Sequence, residues 1–98
     1  MNSTQKRLSA KAWSMLESLS NLRKSVQQEM GFIQSVSPDI PLVKFEEALI
    51  SIDDFSDEIS RFLADIKYKE GEGLQDEFEG LADRHELLIE NTERLLGR

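Results

Sequence analysis

The chain contains no cysteine, one histidine, two prolines, five glycines and seven aromatic residues in 98. Without cysteine it has no disulfide, no thiolate metal site and no thiol nucleophile. With a single histidine, general-base and nucleophilic catalysis have few possible carriers. No apolar run approaches the ~18 residues that a membrane-spanning helix needs. The N-terminal stretch carries Lys6, Arg7 and Lys11 and lacks the apolar segment of a signal peptide. These absences predict a soluble cytoplasmic protein without cofactor, metal or small-molecule substrate.

What the chain does have is an apolar heptad running almost end to end. Stepping alternately by three and four residues gives Leu8, Ala12, Met15, Leu19, Leu22, Val26, Glu29, Ile33 and Val36. A second series gives Leu42, Phe45, Leu49, Ile52, Ser56, Ile59, Leu63 and Ile66. A third gives Leu74, Phe78, Leu81, His85, Leu88, Thr92 and Leu95. Apolar residues fill 20 of these 24 places, where the 39% apolar composition would fill roughly nine. The pattern predicts an all-α fold: three long amphipathic helices in an up-down-up antiparallel bundle with coiled-coil-like packing. The whole chain, 1–98, reads as one domain, with helices at about 3–36, 41–69 and 74–96.

The punctuation agrees with that division. Asn2, with Gln5 three residues on, forms a weak capping box for helix 1. Gly31 predicts a weakened or bent helix, and Ser37-Pro38 its end. Pro38 and Pro41 bracket a short, stiff connection, with Pro41 suited to a helix's first turn. Glu70-Gly71-Glu72-Gly73 separates helices 2 and 3, and Gly97 follows helix 3. Gly80 falls on an outward position of helix 3.

The stripes differ in width. Helix 2 adds Ala48, Phe55 and Phe62, and helix 3 adds Ala82, Ile89 and Leu96. Both therefore have faces wide enough for two neighbours. Helix 1 adds only Leu16 and Met30, which is closer to a coiled-coil seam. A narrow seam predicts a homodimer with helix 1, including Trp13 or Leu16, in the interface.

Charge is unevenly placed. Residues 1–38 carry a net of +3 and residues 39–98 a net of −10, for −7 overall. The simplest consequence is a basic first helix beside two acidic ones. Such a balance disfavours nucleic-acid binding, which needs a concentrated basic patch. Asp53, Asp54, Asp57 and Glu58 form an acidic face on helix 2. They lack a nitrogen ligand for a transition metal, and a di-iron site would need a glutamate where Ala82 stands. Glu70–Gly73 does not fit a calcium loop. No glycine-rich phosphate loop or nucleophile elbow occurs.

His85-Glu86-Leu87 resembles the first three residues of the phospho-acceptor box of sensor histidine kinases. Leu88-Ile89-Glu90 then replaces the Arg-Thr-Pro of that box. His85 also sits on the core stripe, whereas a phospho-acceptor must face its partner. Together with Ser56 and Thr92 it reads better as a polar core position that fixes register.

The large apolar residues left off the stripes are Trp13, Val43, Ile50, Leu87 and Tyr68. With Leu16, the first four are the candidate partner-binding residues. The expected function is a non-enzymatic protein–protein interaction module: an adaptor, chaperone or assembly factor binding a partner helix. An acidic inhibitor, such as an antitoxin, immunity protein or phage-encoded blocker of a basic site, is the alternative. Phosphotransfer through His85 is a remote third.

Overall fold

A computed structural model describes residues 1–98. The fold is an all-α bundle of three helices, α1 (Ser3–Val36), α2 (Val43–Asp65) and α3 (Glu72–Leu95). A short 3₁₀ turn, Ile66–Tyr68, follows α2 directly.

The heptad stripes become the core. Fourteen apolar residues form one buried cluster, in which Leu8, Ala12, Leu19, Val26 and Ile59 are completely covered. The wide-face residues Phe55 and Phe62 of α2 are buried with them, and Phe62 meets Phe78 at 6.0 Å between ring centroids. The α1 seam is therefore filled by helices of its own chain. Cross-helix contacts order the bundle. Gln5 bonds Ile66 and Arg23 bonds Asp53, so numbers rise along α1 as they fall along α2. Phe62 meets Phe78 and Glu58 meets Arg84, so the same holds for α2 and α3.

Local chemistry sets the ends. The Asn2 side chain accepts the Gln5 N–H at 2.8 Å and the Gln5 side chain accepts the Asn2 N–H at 2.7 Å, completing the capping box. Gly31 has no left-handed conformation, and α1 runs through it to Val36. The helix 2 boundaries of 41 and 69 need correction. α2 starts at Val43, because its first bond runs from the Glu46 N–H to the Leu42 carbonyl and leaves Pro41 outside. At the other end the chain tightens into the 3₁₀ turn, which tucks Ile66 into the core. α3 starts two residues earlier than the 74 expected. Gly71, at φ 77°, turns the chain sharply enough for Glu72 to enter the first turn, where its carboxylate favours the helix dipole. Gly97, at φ 80°, closes α3. Its N–H donates to the Arg94 carbonyl and the Arg98 N–H to that of Glu93, the paired bonds of a Schellman cap.

Helix lengths shape the molecule. α1 has 34 residues, against 23 for α2 and 24 for α3. At ~1.5 Å per residue α1 alone spans about 51 Å, which accounts for the 52 Å long axis of the molecule. One end of the bundle is flush: Gln5 bonds the end of α2, and Arg7 bonds Gln75 near the start of α3. All the extra length of α1 therefore emerges at the other end. There about two turns of α1, some 12 Å, project past the end of α3, with the start of α2 beside them.

Candidate protein-interaction surface

The projecting end, here called the tip, comprises the last two turns of α1, the 37–42 connection and the first residue of α2. Val26 is the last fully buried residue of α1; Met30 and Ile33 are half-covered. Phe32 and Val36 are each 63% exposed, Val43 55% and Ile40 51%. Across residues 30–43 the only charged side chain is Asp39, in a protein with 32% charged residues. The tip is thus an apolar, nearly neutral end on an acidic rod.

Phe32 and Val36 have a definite direction. They stand roughly seven and eight helical turns beyond Arg7, at ~3.6 residues per turn. Arg7 donates to Gln75 of α3. Phe32 and Val36 accordingly lie on the side of α1 that faces α3, past the point where α3 ends. The vacant space at the tip is lined with apolar side chains that no helix of the same chain covers.

The residues singled out from sequence do not form one patch. Val43 belongs to the tip. Ile50 is exposed two turns further along α2, and Leu87 is exposed on α3. Trp13 is 63% exposed on the outer side of α1, while Leu16, three residues on, packs against the core and presents little free surface. Sequence reasoning missed Phe32 and Ile40 and assigned Val36 to the core stripe. The signal was available: the first heptad series is longer than either of the others, so its last members have no partners at their level.

The acidic face is partly neutralised from within. Arg23 donates to both Asp53 oxygens at 2.9 and 3.3 Å, and this hydrogen bonding, with the attraction of the carboxylate, raises the guanidinium pKa. Arg84 bonds Glu58 at 3.1–3.2 Å and lies over the Phe55 ring. Asp54 and Asp57 are left without an ion pair. Nowhere do three or more histidine or carboxylate side chains converge as they would around a metal ion. No helix is long and apolar enough to cross a membrane.

His85 sits where the three helices meet. Its ring stacks on Phe55 at 6.4 Å, and Nε2 is buried without a hydrogen-bond partner. Desolvation by burial lowers its pKa, offset only in part by the nearby Met15 backbone. A nitrogen so enclosed is poorly placed to receive a phosphoryl group from another protein.

The chain matches no family model, no curated protein and no solved structure.

Proposed function

We propose that this protein is a non-enzymatic protein–protein interaction module that docks a partner helix at its tip. The observation that carries this reading is the uncovered apolar surface of Phe32, Val36, Ile40 and Val43 beyond the end of α3. A helix laid there would continue the line of α3 and complete a three-helix layer around Met30 and Ile33. Burying one such large side chain contributes roughly 1.5–3 kcal/mol, so two or three anchors suffice for a specific contact. The protein acts through that contact as an adaptor, chaperone or assembly factor rather than through chemistry.

The acidic-inhibitor alternative draws less support, because Asp53 and Glu58 already serve ion pairs within the bundle. The test is a photo-crosslinking residue placed at Phe32 and, separately, at Leu87. Crosslinks to a protein partner should form from position 32 and disappear on Val36→Ser/Val43→Ser substitution. Crosslinking from position 87 alone would overturn the assignment to the tip.

A further inference from the structure

We infer that the occupant of the tip is a second copy of this chain, joined end to end about a twofold axis. This rests on the reading of the tip as a contact surface and names its partner. The shape argues for it first. One end of the molecule is flush and the other is a step, with α1 and the start of α2 projecting about 12 Å beyond α3. Two identical steps related by a twofold axis interlock: each projecting α1 enters the space above the other copy's α3. The contact is self-complementary and closes on itself, as a symmetric dimer requires.

The direction of the apolar side chains agrees. Phe32 and Val36 lie on the side of α1 that carries Arg7, whose guanidinium bonds α3. They face the space that the second α1 would enter. Charge selects the same contact. Two chains of net charge −7 repel when they meet side by side, whereas residues 30–43 carry Asp39 alone. The shoulder at the end of α3 carries Arg94 and Arg98. In the interlocked arrangement the loop holding Asp39 abuts that shoulder, pairing opposite charges at each end of the contact. Two short projections give an area at the low end of the ~1,200–2,000 Å² that stable pairs bury. Association is accordingly expected in the micromolar range.

Light scattering and small-angle X-ray scattering of the full chain between about 1 and 100 μM test this. The expected result is a mass approaching twice 11.2 kDa, with a maximum dimension near 90 Å from two rods of ~1.5 Å per residue overlapping at their tips. Phe32→Ser/Val36→Ser, both at exposed positions, should weaken association at least ~30-fold with unchanged circular dichroism and melting. Asp39→Arg should weaken it about three- to fivefold, and Arg94→Asp/Arg98→Asp in the same chain should restore it. A monomer at about 100 μM overturns the inference. So does a dimer no longer than a single rod, or one abolished by Trp13→Ala and indifferent to Phe32→Ser/Val36→Ser. If the chain is monomeric yet the position-32 crosslinker still captures a different protein, the tip remains a docking surface and self-pairing alone is excluded.

Discussion

The side-chain amide of Gln5, on the first helix, donates to the backbone carbonyl of Ile66 at the end of the second, 3.0 Å away and buried. The same nitrogen donates to the Lys69 carbonyl at 2.8 Å, while the amide oxygen accepts the Asn2 N–H. One glutamine thus caps α1, satisfies the Lys69 carbonyl and adds a second donor to the Ile66 carbonyl, which also accepts the Lys69 N–H. It fastens the flush end of the bundle and thereby sends the surplus length of α1 to the opposite end.

Gln5→Ala should destabilise the protein by about 1–3 kcal/mol, since it removes half of the capping box, leaves the Lys69 carbonyl without its side-chain donor and takes one of two donors from Ile66. Gln5→Glu should cost more at neutral pH. A carboxylate still accepts from Asn2 but donates nothing and sets a charge against two carbonyl oxygens. Chemical denaturation of the two variants at pH 7 checks the order; equal stability of Glu and wild type would show that the contact to Ile66 contributes nothing.

The bundle core should show a stability gradient along its length. Leu19→Ala and Ile59→Ala, both at completely covered sites, should each cost about 2–5 kcal/mol, as should Leu81→Ala. Leu49→Ala should cost less, near the bottom of that range or below it, because Leu49 is only half-buried although it occupies the same heptad stripe. Glu47→Ala, on the surface, should stay within about 0.5 kcal/mol. Denaturant midpoints for these variants measure the gradient.

The two kinds of leucine also mark how far the sequence could be read. Periodicity fixes the direction of a side chain on its own helix, so Leu19, Ile59 and Leu81 could be placed in a core without coordinates. It does not fix how far along a neighbour the packing extends. That depends on helix register, which here is set by Gln5 reaching across 61 residues of sequence to Ile66. Gln5 lies on the same stripe as Leu8, yet its amide reads from sequence only as a cap. For the same reason Val36 obeys the heptad and is nonetheless exposed: no helix of the chain reaches its level. Trp13 stands outside the stripe and stays exposed, so its position, unlike that of Val36, follows from the pattern.

Gly31 and Gly80 lie inside helices, and a methyl group added at either would meet no atom within 4 Å. Each alanine substitution should therefore stabilise the protein by about 0.5–1 kcal/mol, chiefly by restricting the unfolded chain. Gly97→Ala should do the opposite, because φ of 80° is strained for any side chain. Thermal unfolding monitored by circular dichroism distinguishes the signs. A destabilised Gly80→Ala variant would mean that α3 approaches a neighbour more closely than this arrangement allows.

His85 gives the bundle a pH dependence of definite sign. Burial lowers its pKa, so the folded state resists protonation more than the unfolded state does. Above the ordinary histidine pKa, about 6.5, both states are neutral at this site and the contribution to stability is fully present. As pH falls below that value the unfolded chain takes up a proton and the folded chain does not, so folding weakens until the lowered folded pKa is reached. His85→Leu should remove this part of the pH dependence. It should also raise stability at neutral pH, because the buried Nε2 has no partner to lose and Phe55 gains an apolar neighbour. Urea unfolding of wild type and variant between about pH 5 and 7.5 separates these effects from carboxylate titration, which lies mainly lower. Identical pH profiles for the two proteins would place the His85 ring in water.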